Sequence, residues 1–501
     1  YIRRVRSPVV VYGMIEGLIG LYALAFPYLQ AGAMRLSYDV LFPALGGGSA
    51  VVIAKWLVAA LLILPPCVAL GTTFPLMSVG ILRRDLAHSG EVLSLLYFTN
   101  SLGASTGALL SGFVLVGKLG LPGTLMVGAT INILIMLLAI RDREAAPVIE
   151  AEAKAGGEAG EPAGQQAPRT MVWLFLAVSF GTGLSSFMYE IGWIRLLSMI
   201  IDSATHSFEV MLSAFVFGLA VGGLWVRGKM DRFRNPELVL GFVQILMGVA
   251  AVATLPLYGI AVQAMGWLMT GEVRSENTWL AFNALRYGLC LIIMFPATFC
   301  AGMTLPLITH LLLKRGQSEA IIGRVYGFNT FGAIAGATLA GLLLMPLVGL
   351  QRVIIIGAIV DIGLGLALLR GELASDAAPR GIRRTYHLAL ASSLIAVVYG
   401  LFVFHLDPMV LSATVYRHGR TRLGDGYELI SYVDGRTASV AVVRLTNERE
   451  YRVIYTNGKP DASLVLNRYP QDRDPALGPD IAGDEPNQIL VGLIPMMIRP
   501  E

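Results

Sequence analysis

The sequence predicts an all-α polytopic membrane bundle of about eleven spans, followed by a small C-terminal β-rich domain. Three observations carry that prediction. Hydrophobic residues make up 55% of the 501 and charged residues 14%, against roughly a quarter charged in soluble domains, so the excess apolar surface needs a lipid bilayer as its solvent. Apolar runs long enough to cross a bilayer recur as far as residue 405. Beyond that point the apolar pattern switches to period two.

A hydrocarbon core of roughly 30 Å needs about 20 apolar residues in helix. Runs of that kind lie near 8–29, 52–80, 92–116, 121–140, 171–193, 207–227, 237–262, 281–312, 322–347, 350–370 and 385–405. Gly and Pro are frequent within them, as small residues are where helix backbones approach closely in lipid. Residues 142–169, rich in Ala, Glu, Gly, Pro and Gln, cannot bury a core and read as a flexible linker. A second polar connector covers about 371–384.

The net charge of +4 is modest and sits in loops, which argues against nucleic acid as a partner. Cys67, Cys290 and Cys300 fall inside apolar runs without metal-ligand spacing, so they read as packing residues and no metal site is expected. Lys and Arg gather on alternate loops. Arg3, Arg4, Arg6, Arg83, Arg84, Arg141, Arg227, Lys229, Arg232, Arg234, Lys314, Arg315, Arg370 and Arg383 share one side, against Arg35, Lys118, Arg195, Arg274 and Arg352 on the other. The richer side is expected to be cytoplasmic. An odd number of spans then puts the tail outside the cytoplasm of a bacterial inner membrane protein.

The chain also resembles itself. Pro65–Leu76 (PPCVALGTTFPL) matches Pro296–Leu307 (PATFCAGMTLPL) at Gly71/Gly302, Thr73/Thr304, Pro75/Pro306 and Leu76/Leu307. Tyr97–Gly112 matches Tyr326–Gly341 at Asn100/Asn329, Gly103/Gly332, Ala104/Ala333 and Gly107/Gly336, and Arg6–Gly13 resembles Arg234–Gly241. On this pattern residues 1–141 are a first unit with four of six helices, 170–371 a second unit with all six, and 385–405 an extra span. Tyr1 stands where the loop between the second and third helices of a unit would fall. A natural N-terminal portion carrying two spans is therefore expected upstream.

Two six-helix units in the same orientation resemble the major facilitator superfamily. Gly228-Lys-Met-Asp-Arg-Phe-Arg234 is similar to that family's basic signature between its second and third helices.

Ionisable and amide residues within spans are functional candidates by default. Lys55 and Arg286 are equivalent positions on the fourth helix of each unit, Glu16 and Gln244 on the third. Glu190 and Arg195 flank Trp193, and His206 with Glu209 opens the next span. In the resembled family fourth helices line a central cavity, so Lys55 and Arg286 either face one another across it or each pairs locally, with Glu16 or Glu190 for instance. A cavity with two cations favours an anion or carboxylate and repels a polycation unless the glutamates dominate. Asp361 is placed late in its span, near an interface.

The tail, 406–501, reads as a β-meander: Tyr427–Val433, a turn at Asp434-Gly435, Ala438–Arg444, Tyr451–Tyr455, a turn at Asn457-Gly458, and Ala462–Leu466. Gln488–Ile498 reads as a helix. The order DGRTASVAVVR, TNGKPDAS, NQILVGLIPMMIRP resembles the N-terminal β-domain of spermidine synthases, in the bacterial family that fuses such a domain behind a transporter-like membrane region. Tyr189-Glu-Ile-Gly-Trp193-Ile-Arg195 and Phe217-Gly-Leu-Ala-Val-Gly222 resemble helices of the same family.

That resemblance implies decarboxylated S-adenosylmethionine as co-substrate of a Gly-rich loop beyond Glu501, no cofactor within this chain, and a place near the amine pocket for Gln488. Gln488 as a helix cap is the plainer alternative. Three functions stand at this point. The chain belongs to a fused aminopropyltransferase-like membrane protein linked to polyamine synthesis or transport. Or it is a small-molecule transporter, possible cargo an anion, with a relic tail. Or it is a structural subunit with partners in a larger membrane complex.

Overall fold

The computed structural model describes residues 5, 7–84, 89–142, 168–202, 205–270, 278–373, 380–446 and 451–465. The linker at 142–169 lies almost wholly outside the described residues, and the helix expected at 488–498 lies wholly outside them. Among the described residues ten helical runs are long and apolar enough to cross a bilayer, as a multi-pass membrane protein requires. In lipid each backbone N–H and C=O must be satisfied by the protein itself, and runs of Leu, Ile, Val and Ala satisfy them as helix.

Helix α1 (Pro8–Leu36) continues through a π turn to Leu45, and α2 spans Gly48–Leu82. Helix α3 (Ser89–Leu110) passes through a π turn, Ser111–Leu115, into α4 (Val116–Asp142). This run reverses at Gly120 (φ 67°, ψ 179°), a backbone conformation that glycine adopts without steric cost. Its two ends accordingly lie together, because Asp142 pairs with Arg84, just before α3 begins.

The next helices are α5 (Arg169–Ile201), α6 (Thr205–Val226), α7 (Pro236–Thr270), α8 (Trp279–Lys314) and α9 (Ala320–Thr338). A third π turn, Leu339–Leu344, then leads to Gly349 (φ 82°) and α10 (Leu350–Leu373), and α11 is Arg380–Val398.

Two helix pairs pack alike. A Cβ added to Gly20 on α1 would lie 2.9 Å from the carbonyl oxygen of Ala129 on α4. One added to Gly248 on α7 would lie 2.7 Å from that of Ala358 on α10. Both crossings are so close that only glycine fits.

The core lies among α5–α10, around the fully buried Phe175, Met188, Tyr189 and Trp193. At the cation-rich end of the bundle ion pairs tie loops and helix ends together: Arg83–Glu319 at 3.0 Å, Arg227–Glu91 at 2.5 Å, Arg84–Asp142 and Arg315–Glu237.

Four strands follow, β1 (Tyr427–Asp434), β2 (Ser439–Leu445), β3 (Tyr451–Thr456) and β4 (Lys459–Val465), paired antiparallel in chain order. The meander expected from the sequence is present. Asn457 (φ 49°) and Gly458 (φ 74°) make the β3–β4 turn, which needs positive φ at both positions. One face buries Ala441, Val443 and Tyr455 against Leu423, while Val440 and Ile454 stand exposed on the other. The sheet sits at the end opposite the cationic one, against the start of α10 and the close of α5.

Candidate functional site

The polar residues within the helices fall into two groups, one in the packed core and one where the sheet meets the helix ends. In the core, Thr182, Ser185, Tyr189 and Trp193 recur on one stripe of α5, as residues three or four apart do on a helix. Ser185 and Tyr189 donate to the two carboxylate oxygens of Asp361 on α10, each at 2.6 Å. Gln244 on α7 donates to Thr182 at 2.5 Å, and the Trp193 indole donates to Thr254 at 3.0 Å. Buried polar groups carry a penalty unless bonded, so this ladder fixes α5 against α7 and α10.

Asp361 lies in the middle of α10 and is fully buried, not near an interface as expected from the sequence. The run behind that expectation, 350–370, has its own midpoint at 360, so its bounds already place Asp361 centrally.

The second group is built on arginines. Arg286, on α8, donates to the carbonyl oxygen of Ile201 and to Ser207, both at 2.6 Å, and to Asn283 at 3.0 Å. Its guanidinium also lies over Tyr416, 5.3 Å from the ring centroid. Arg195 lies within α5 and not in a loop. It donates to the carbonyl oxygen of Arg436 at 3.1 Å and approaches that of Gly435 at 3.5 Å. Asp434 accepts the backbone N–H of Leu350 at 2.9 Å and the hydroxyls of Tyr432 and Ser439 at 3.0 and 2.6 Å. Gln351 donates to the carbonyls of Gly400 and Phe404 and accepts from the Leu406 N–H, so the exit from α11 is clamped to α10.

A shallow open cleft lies at this junction, between Ser198 and Asp202 at the close of α5, Thr414 and Arg417 of the connecting segment, and Asn457 and Lys459 of the sheet. Among the described residues the three non-glycine positions with positive φ are Asp202 (82°), Thr414 (56°) and Asn457 (49°). All three line this cleft. Asn457 belongs to an ordinary hairpin turn, but a β-branched Thr in this region is uncommon and such residues cluster at functional sites.

Of the residues singled out in the sequence, the structure joins few to one another. Lys55 is exposed on α2, its Nζ 5.4 Å from the Phe42 ring centroid. Arg286 has the partners named above, drawn from α5, α6 and α8. Glu16 is buried on α1 and bonded to Tyr12. Glu190 is half-buried on α5, and Gln244 belongs to the core ladder. His206 and Glu209 pair at 3.0 Å. Gln488 lies outside the described residues.

Sequence reasoning passed over Ser185, Tyr189 and Thr254. For Ser185 and Tyr189, four residues apart on an apolar helix, the need of a lone buried Asp for donors is the signal that could have found them, whereas Thr254 bonds Trp193 and had no such signal. Among the described residues no group of three or more His, Cys, Asp or Glu could hold a metal ion.

No protein-family model matches the chain, and no solved structure matches it. It is similar to a polyamine aminopropyltransferase of Leptospira interrogans, 21% identical over 308 residues, which are 60% of this chain and 51% of that protein. The chain thus spans about half the length of the curated relative it matches. The match is about three times as long as the tail 406–501, so it takes in helical segments as well as any part of the sheet.

Proposed function

We propose that this chain is the membrane-embedded part of a fused protein, in which a duplicated, MFS-like helical unit carries a spermidine synthase-like sheet and serves polyamine synthesis or transport. The observation that carries the proposal is the similarity to a polyamine aminopropyltransferase over a stretch too long to be the tail alone.

The packing supports duplication. The Gly20–Ala129 approach of α1 on α4 recurs 228 to 229 residues on as Gly248–Ala358 of α7 on α10. The π turns at Ser111–Leu115 and Leu339–Leu344, and the glycine breaks at Gly120 and Gly349, keep the same interval. Read so, the ten apolar runs make eleven passes, because Gly90–Asp142 crosses twice. The cation-rich end is then cytoplasmic and the sheet lies outside.

The charges favour an amine. Arg195 and Arg286 are already held by carbonyl oxygens at the sheet end. Glu16 and Glu190 are carboxylates within the helices that an entering di- or triamine would meet, whereas Asp361 is held in the packed core by Ser185 and Tyr189. Decarboxylated S-adenosylmethionine and a contact from Gln488 stay with whatever catalytic half accompanies the chain.

The test is equilibrium binding of labelled putrescine and spermidine to the full chain in lipid nanodiscs. Saturable binding, weakened about tenfold or more by Glu190→Gln or Glu16→Gln, is expected, tenfold being about 1.4 kcal/mol. Absence of saturable binding of either amine removes the proposal. A second reading, an anion carrier with a relic tail, draws on Lys55, a cation standing exposed on an apolar helix. It predicts anion uptake that Lys55→Ala abolishes, with no amine binding.

A further inference from the structure

The first helical unit leaves open a face that the second keeps covered, and paired glycines mark it. On α8 a Cβ added to Gly302 would lie 2.1 Å from the carbonyl oxygen of Leu219 on α6. On α9 one added to Gly332 would lie 1.9 Å from that of Phe180, and one added to Gly336 2.2 Å from that of Leu184, both on α5. Helices α5 and α6 thus cover α9 and α8 backbone to backbone. Their counterparts Gly71, Gly103 and Gly107 have no heavy atom within 4 Å of the same added atom.

The amides agree. Asn329 donates to the carbonyl oxygen of Ser179 on α5 at 3.1 Å, whereas its counterpart Asn100 is exposed. In the most apolar stretch of α2 only 6% of residues are buried, against 72% in α8. Exposed leucines are ordinary on a lipid-facing helix. Glycines and an asparagine are not, since glycine weakens a helix by about 1 kcal/mol and an amide facing hydrocarbon lacks a partner.

We propose that the face formed by Gly71 of α2 and Asn100, Gly103 and Gly107 of α3 docks an apolar helical hairpin built like α5–α6. The inference rests on the duplication read above. The parallel runs of α5 beside α9 and α6 beside α8 fix the arrangement: the first helix of the hairpin lies parallel to α3 and offers carbonyls to Gly103, Gly107 and Asn100, while the second lies parallel to α2 at Gly71. Among the described residues α5 and α6 are engaged on their own unit, so the hairpin is a polypeptide segment outside the described residues.

The experiment places a photoreactive amino acid at Thr106 and, separately, at Val68, both exposed beside the glycines, in the protein as it sits in its native membrane. Adducts are expected that map by peptide mass to two adjacent apolar helices, one reached from each position. Gly107→Leu is expected to reduce the Thr106 adduct at least tenfold. Adducts with lipid alone, or with a second copy of this chain, overturn the docking.

Spin-label distances for Leu18/Thr130 on α1 and α4, and for Leu246/Ile359 on α7 and α10, all exposed positions, separate docking from duplication. If the two distances agree and Thr106 gives only lipid adducts, the docking fails while duplication stands. If the two distances differ, the duplication fails.

Discussion

The guanidinium of Arg195 donates to the carbonyl oxygen of Arg436 at 3.1 Å, joining a membrane helix to the β1–β2 turn. On the same turn Asp434 accepts the first backbone N–H of α10 from Leu350. The sheet is thereby docked by one charged donor and one charged acceptor at neighbouring helix ends. Hydrogen bonds to charged groups contribute about 1.5–3 kcal/mol. Arg195→Ala is expected to raise amide exchange at 435–440 by about tenfold or more, with unchanged exchange in α7. Arg195→Lys keeps the charge but loses the planar fork and should fall between the two. Equal exchange in all three proteins would remove Arg195 as the tether.

The core ladder predicts coupling within the bundle. Asp361 holds the hydroxyls of Ser185 and Tyr189, one on each oxygen. Interhelical hydrogen bonds in membrane proteins contribute about 0.6 kcal/mol on average and up to about 2. Tyr189→Phe and Asp361→Ala should therefore show a coupling of that size in a double-mutant cycle of reversible unfolding in mixed micelles. Asp361→Asn, which keeps an acceptor, should lose less than Asp361→Ala. Additive effects would mean that the contact contributes nothing.

The turns of the sheet were legible in the sequence because Asp434-Gly435 and Asn457-Gly458 have a local cause, the positive φ that such hairpins need. The apolar runs were legible for a similar reason, since length and composition alone decide whether a helix can cross lipid. Long-range choices were not. A buried arginine such as Arg286 announces that it needs oxygen partners, yet nothing local says that they are the carbonyl of Ile201, 85 residues away, and Ser207. Arg195 read as a loop residue because the apolar run fades near Trp193, while the helix continues to Ile201 under the sheet that covers it.

The junction should also respond to alkali. Burial, the nearby charge of Asp434 and the hydrogen bond donated to it raise the Tyr432 phenol above its ordinary value. Tyr455 is raised as well, by burial and by Tyr427. In the unfolded chain both phenols lose their protons near pH 10, whereas the folded chain keeps them to higher pH. Above that point the folded state binds more protons, so stability falls as pH rises. The contribution is complete below about pH 10 and is lost progressively above it. Tyr432→Phe should remove one late-titrating phenol from the ultraviolet tyrosinate titration and flatten the alkaline loss of stability. A phenol that titrates near 10 in the difference curve would contradict the burial.

The side of the sheet can be read directly. Ser431 is exposed on β1, at the end away from the cationic loops. With the native cysteines replaced, Ser431→Cys should react with an impermeant maleimide in intact cells as fast as in lysed ones. Reaction only after lysis would reverse the orientation proposed from the arginines and lysines.

At the cationic end two ion pairs cross between the helical units, Arg83 of the α2 end with Glu319 before α9, and Glu91 of α3 with Arg227 after α6. All four side chains are between 27% and 42% exposed, so water and salt screen them. Exposed pairs of this kind contribute about 0.2–1 kcal/mol each. Glu91→Gln with Glu319→Gln should lower the melting temperature by a few degrees at low salt and by almost nothing at high salt, where the wild-type pairs are already screened. Exchanging the partners, Arg83→Glu with Glu319→Arg, should restore the low-salt value, because the pair is rebuilt with its charges transposed. A salt-independent loss in the double glutamine variant would instead mean that the two glutamates act by packing. The exchanged variant separates these causes, since it rebuilds the ion pair without rebuilding the original contacts.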